Sequence, residues 1–141
     1  MELDHLAVAG ESLEAAVDYV EAALGVPLQP GGQHQVYGTH NFLLGLADGL
    51  YLEAIAKDPN AEPLRKPCWF DLDHFTGTPR ISNWISRCEN LAATLQDQPD
   101  GAGKVVALTG GDLSGDMAVP ADGLLHFDNM FPDLNDWHRD H

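Results

Sequence analysis

Positive charge is scarce in this chain. Seven Lys and Arg stand against 22 Asp and Glu, a formal net charge of −15 over 141 residues. A surface of that sign repels nucleic-acid phosphates and anionic lipid, so neither nucleic acid nor membrane is expected as a partner. It favours a cationic ligand, although a local pocket can still accept a small anion. The acidic residues are spread along the chain, with no block long enough to read as a disordered tail. Cysteine is limited to Cys68 and Cys88. Two are too few for a disulfide scaffold and read as free thiols in a reducing compartment. There is no apolar run of about 18 residues and no signal-peptide pattern, so a soluble, cytoplasmic protein is expected. Three chemical signatures are also missing: a Ser or Cys nucleophile with a nearby partner, a Gly-rich phosphate loop, and Cys-x-x-Cys spacing.

The residues present are enough for one domain with a core, since 44% of them are hydrophobic. Residues Leu3 to Ala9 read as a short buried strand. Ser12 caps a helix, Glu14 sits in its first turn, and Leu13, Ala16, Val17, Val20 and Leu24 recur at helical spacing. Gly25 stops the helix and Pro27 comes two residues later. Pro30-Gly31-Gly32 reads as a turn. Strands are then predicted over about Gln35 to Tyr37, Phe42 to Leu46 and Leu50 to Ala56, with Asp48-Gly49 as the hairpin signal between the last two. Residues 58–79 are punctuated by Pro59, Pro63, Pro67 and Pro79 and carry Trp69, Phe70 and Phe75, which reads as a linker anchored by aromatics.

The pattern then repeats. The run from His5 to Ala16 can be laid on the run from Asn83 to Thr94 at a constant offset of 78, matching Glu11 to Glu89, Leu13 to Leu91 and Ala15 to Ala93. Ser12 meets Asn90, and both are good helix caps. Near each end, Asp48 to Glu53 lies on Asp122 to Phe127 at an offset of 74. Two matches in the same order indicate a duplication. A single domain over 1–141 is expected, with module one at 1–57, the linker at 58–79 and module two at 80–137. Exposed strand edges of such modules need partners, from the same chain or from a second one.

The run ELDHLAVAGESLEAAVDYVEAALGVPL, together with GGQHQVYGTHNFLLGL and DGLYLEAIA, resembles the vicinal oxygen chelate superfamily, specifically its glyoxalase-like domains. The resemblance extends to about residue 127. It implies an α+β fold of two βαβββ modules whose curved mixed sheet forms a cup, and a homodimer. It also implies ligands for a divalent metal (Zn, Ni, Fe or Mn) on the first and last strands of each module. In module one those positions are His5 and Glu53; in module two the two offsets give Asn83 and Phe127. The superfamily includes lyases, isomerases and proteins that only bind drugs. The implied function is therefore a metal-dependent lyase or isomerase for a small oxygenated metabolite, or else a non-catalytic ligand-binding protein.

The apolar strands of module one pose the chemical question, because Glu53 stands near the middle of one of them. By alternation Tyr51, Glu53 and Ile55 share one face, while Leu50, Leu52, Ala54 and Ala56 suit packing on the helix. His5 and Glu53 are acceptable metal ligands, but they could equally form a hydrogen-bonded pair. His40 and Glu53 are the candidate catalytic groups, with His40 as general base. Asn41, Tyr51, Asn83 and Trp84 are the candidate ligand-binding residues. A regular strand admits only one of His40 and Asn41 to the cup. His34 is expected in an exposed loop, Arg87 in a surface ion pair, and His138 and His141 at no more than a fortuitous surface site. If Glu53 serves function alone, Glu53→Gln is expected to change stability by no more than about 1 kcal/mol. If it is a structural partner of His5, the loss is about 1.5–3 kcal/mol.

Overall fold

The first helix forms where its spacing and caps dictate. α1 spans Leu13–Leu24; the Ser12 hydroxyl accepts the Ala15 amide, and Gly25 closes the helix at φ 70°, its N–H donating to the Glu21 carbonyl. Ala16 and Val20 are its buried stripe. They pack with Val8, Leu28, Leu52 and Ala54, and Phe42 and Leu44 flank that cluster. One sheet face is thereby committed to the helix, and the opposite face is left for a site.

The computed structural model describes residues 2–47, 49–63, 68–96, 104–110, 113–119 and 129–132. Strands β1 (Glu2–Ala9), β2 (Gln29–His34), β3 (Thr39–Ala47) and β4 (Leu50–Lys57) complete the first module around α1. A 3-10 segment (Trp69–His74) is next, then β5 (Arg80–Cys88), α2 (Leu91–Gln96), β6 (Lys104–Gly110), β7 (Leu113–Val119) and β8 (Asn129–Pro132). The chain is thus a mixed α+β fold of two βαβββ modules. They share one eight-stranded sheet in the order β7-β6-β2-β3-β4-β1-β5-β8.

The pairing is the same in each module: β4 runs parallel to β1, and β8 runs parallel to β5. β1 and β5 meet antiparallel, with His5 opposite Ile85 and Ala7 opposite Asn83. His5 and Asn83, and likewise Ala7 and Ile85, are the residues that the offset of 78 equates, so the register is symmetric under exchange of modules. The caps obey the same offset, since the Ala93 amide donates to Asn90 Oδ1 at 3.0 Å. β2 also touches β6, with His34 opposite Gly110. Both outer edges of the first module therefore find partners within the same chain.

Three expectations are corrected. Pro30-Gly31-Gly32 is not a turn but part of β2, where the register to β3 shifts between Pro30 and Gln33. Conversely, the residues from Gln35 to Tyr37 form the turn, which Gly38 closes at φ 68° with its N–H on the His34 carbonyl. A small-residue run misread as a turn in this way displaced the neighbouring strand. In module two, β8 sets Asn129 beside Ile85 as β4 sets Glu53 beside Ala7. The place of Glu53 therefore passes to Asn129. Phe127, its neighbours His126 and Asp128, and the C-terminal histidines lie outside the described residues.

Candidate functional site

The site begins with an irregularity in β1. Opposite β5, Leu3 faces Ser86 and His5 faces Ile85, so Asp4 is one residue too many. Such a bulge breaks strict alternation. It brings two consecutive polar side chains together: Asp4 Oδ2 lies 2.6 Å from His5 Nδ1, and both residues are buried. The other ring nitrogen, Nε2, faces Glu53 Oε1 at 3.4 Å. Asn41 Nδ2 donates to the second Glu53 oxygen at 2.5 Å. Asn41 Oδ1 in turn accepts the Gly32 amide at 2.8 Å. The Tyr51 ring stacks on His5 with centroids 4.3 Å apart and planes 15° apart.

Strands β1, β2, β3 and β4 thus deliver one polar array to the concave face. Its outer partner is Arg87, whose guanidinium lies 3.5 Å from Asp4 Oδ1, pairs with Glu2 and donates to the Gly49 carbonyl. Arg87 accordingly serves an ion pair, as the sequence indicated.

Electrostatics are set by this packing. Burial opposes charge on His5, but the hydrogen bonds and fields of Asp4 and Glu53 outweigh it, and the imidazole pKa is raised above its ordinary 6.5. Burial likewise opposes charge on Glu53; His5 and Asn41 more than offset it, and the carboxyl is held below its ordinary 4.5. Both shifts favour the imidazolium–carboxylate form of the pair. His34 is shifted down, chiefly by burial, and its neutral ring bonds Thr39 Oγ1 through Nδ1 at 2.8 Å. Its Nε2 faces Asn41 Nδ2 at 3.5 Å. Burial and the neighbouring carboxylates push the Tyr51 hydroxyl well above 10.0, which keeps it a neutral donor.

These directions imply a pH dependence. A group whose folded pKa is raised stabilises fully below its unfolded value and loses that contribution as pH rises through the folded one. For Glu53, the contribution is present above its unfolded value and lost as pH falls through the lowered one. The melting temperature is therefore expected to decline from neutral into mildly alkaline pH, and His5→Gln is expected to flatten that decline. Thermal melts between about pH 6 and about pH 9 check it.

The structure gathers His5, Asn41, Tyr51 and Glu53, and places buried Asn83 opposite Ala7, next along the same seam. It separates two other candidates. His40 lies on the other side of β3 with Phe42, toward α1, where it lines a groove with residues 11–14. It is not beside Glu53. Trp84 is 50% exposed on the outer surface of β5. Sequence reasoning missed Asp4 and His34. A charged residue inside the apolar run of β1 was the available signal for Asp4; His34 was obscured by the misread turn.

The donors fit a divalent metal poorly. His5 Nε2 and Glu53 are ligand-grade, and Asp4 on His5 Nδ1 is compatible with ligation through Nε2, but Asn41 turns its amide nitrogen toward Glu53 and adds no ligand. Among the described residues no three His, Cys, Asp or Glu side chains converge on a point that would hold an ion. The described donors by themselves fall short of a resident metal centre.

The glyoxalase-like domain family matches residues 3–141 of the sequence. The chain belongs to this family. No curated protein matches it significantly. Among solved structures, the glyoxalase-like domain is similar to methylmalonyl-CoA epimerase from Mycobacterium tuberculosis. Identity is 21%, 92% of this chain and 86% of that one are covered, and the TM-score is 0.58. It is also similar to a Streptomyces coelicolor methylmalonyl-CoA epimerase variant bound to 2-nitronate-propionyl-CoA (16% identity, 93% and 96% covered, TM-score 0.57). A hypothetical protein from Staphylococcus aureus matches with 17% identity, 97% and 61% coverage and a TM-score of 0.61. At these identities the likeness establishes the fold. Among the described residues no helix is long and apolar enough to cross a membrane.

Proposed function

We propose that this glyoxalase-like domain is a small-molecule enzyme of the isomerase kind, moving a proton on the carbon next to a carbonyl group. The observation that carries the reading is the buried His5–Glu53 pair on the concave face, with Asn41 as a second donor to the carboxylate. A carboxylate so well bonded is a weak base. A ligand carbonyl oxygen competes for the same two donors, His5 Nε2–H and Asn41 Nδ2–H. Once they turn to the ligand, Glu53 loses the two hydrogen bonds that hold its pKa down, and burial moves it up toward the range of a general base. Glu53 then takes the proton from the adjacent carbon. The C–H electrons form the C=C bond, and the carbonyl oxygen carries the negative charge beside the imidazolium. The Glu53 carboxyl exchanges its proton with solvent, and return of a proton to the opposite face of the enolate carbon gives the isomer. Asp4 holds the His5 ring in place through Nδ1. The epimerase neighbours support this class of chemistry by fold alone.

Exchange with heavy water tests the reading. Carbonyl compounds incubated with the protein in deuterium oxide are expected to lose the signal of the proton next to the carbonyl, and Glu53→Gln is expected to stop the loss. Exchange that continues unchanged in that variant, or that occurs with no carbonyl class, contradicts the reading. Because the donor set is short of a metal centre, treatment with EDTA is expected to leave exchange and melting temperature unchanged. A rise in melting temperature on adding Zn, Ni, Mn or Fe(II) would restore the metal-dependent version. A second reading, a binding protein without chemistry, is favoured by the net charge of −15, and it requires a preference for cationic ligands that thermal shift would reveal.

A further inference from the structure

The concave face is not uniform. Its polar side chains are those of His5, Asn41, Tyr51 and Glu53. Ala7, Ala9, Ile55 and Ile85 stand among them, and these pack against Tyr37, Cys68, Phe70 and Leu72 as one buried cluster. The two sets interleave by register: Ile85 is opposite His5, Ala7 beside Glu53, and Ile55 opposite Asn41. The segment expected from sequence to be a linker with aromatic anchors therefore packs onto this face, against the neighbours of the acid–base pair.

That segment is held firmly and at a cost. Phe70 and Asp71 adopt left-handed backbone at φ 55° and 53°, a conformation that non-glycine residues avoid unless their surroundings impose it. The surroundings do impose it. Asp73 accepts the Cys68 amide at 2.7 Å through one oxygen and Lys57 Nζ at 2.7 Å through the other. Cys68 Sγ faces the Tyr37 carbonyl at 3.5 Å. Two strained residues in succession carry Phe70 inward, to 6% exposure.

We infer that residues 68–74 form a closed wall of the ligand site and restrict it to compact oxygenated ligands without an extended apolar chain. Phe70 and Leu72 are the specificity-determining residues. The inference rests on the proposed reading of the His5–Glu53 site and names its substrate class. An apolar chain attached to a carbonyl held at His5 and Asn41 would run along Ala7 and Ile55 into the space that Phe70 occupies. Removing the ring opens that space, and glycine at 70 also suits the left-handed backbone.

The test is binding, not turnover. The 2-oxo acids from pyruvate to 2-oxooctanoate are titrated against the wild-type chain, Phe70→Gly and Glu53→Gln by calorimetry. Leu72→Ala opens the same wall without touching the strained pair, and it stands in if Phe70→Gly does not fold. The wild type is expected to bind the short acids and reject the long ones. In the opened variants affinity is expected to rise with chain length, by about fourfold for each methylene admitted. A wild type that binds 2-oxooctanoate as well as pyruvate, or opened variants that keep the wild-type profile, overturns the wall while Glu53-dependent binding leaves the polar site standing. Binding of no acid by any of these proteins overturns both.

Discussion

Glu53→Gln is expected to cost about 1.5–3 kcal/mol of stability and to abolish proton exchange together. The sequence posed function and structure as alternatives for this residue. The fold joins them, because Glu53 is 4% exposed and accepts from Asn41 while facing His5. Glutamine keeps the shape and the acceptor for Asn41 but removes the charge that keeps His5 protonated against its own burial. Asp4 remains as one partner, so the loss should stay below that of an isolated buried charge. Combining it with His5→Gln is expected to cost less than the sum of the two single changes, since each removes the same interaction. Strict additivity in a denaturant-melt cycle would show that the two groups act separately.

Gly31→Ala is expected to have the second largest effect. A Cβ at Gly31 would stand 2.1 Å from Asn41 Oδ1 and 2.9 Å from its Cγ. Asn41 has no slack to give, since Oδ1 is bound to the Gly32 amide and Nδ2 to Glu53. The methyl group must push the amide off one or both partners, leaving buried polar groups unsatisfied at about 1–3 kcal/mol. Glu53 loses a donor, so exchange and ligand affinity should fall together with stability. Gly32→Ala is the control for backbone effects in the same strand. A Gly31→Ala protein with wild-type melting and wild-type ligand affinity would show that Asn41 is not held by this approach.

Much of the scaffold was legible in the sequence, and the reasons are local. Ser12, the 3.6-residue spacing and Gly25 specify α1 to the residue, because caps and periodicity are short-range. The offset of 78 anticipated the symmetry of β1 and β5 before any pairing was known. Alternation put Tyr51 and Glu53 on one face of their strand, and the family resemblance set that face together with His5. The failures arise where alternation or turn chemistry breaks. The bulge at Asp4 depends on the register to β5, far along the chain, and no local pattern encodes it. Gly31 and Gly32 resemble a turn, but Gly31 is small to admit the Asn41 side chain. His40 and Asn41 were equivalent in sequence; the pairing of β3 with β4 and the helix on one side decided between them. The role of residues 68–74 was hidden because apolar residues between prolines indicate burial without saying against what.

The ionisation of His5 decides whether the buried pair exists as imidazolium and carboxylate. Its ring signals can be followed by NMR in a pH titration of the wild-type chain and of Glu53→Gln. His5 is expected to titrate above its ordinary 6.5 in the wild type, because two buried carboxylates outweigh its desolvation, and to titrate lower once Glu53 is neutral. A wild-type value at or below 6.5, or a value unmoved by Glu53→Gln, would contradict the charged pair on which the proposed chemistry rests.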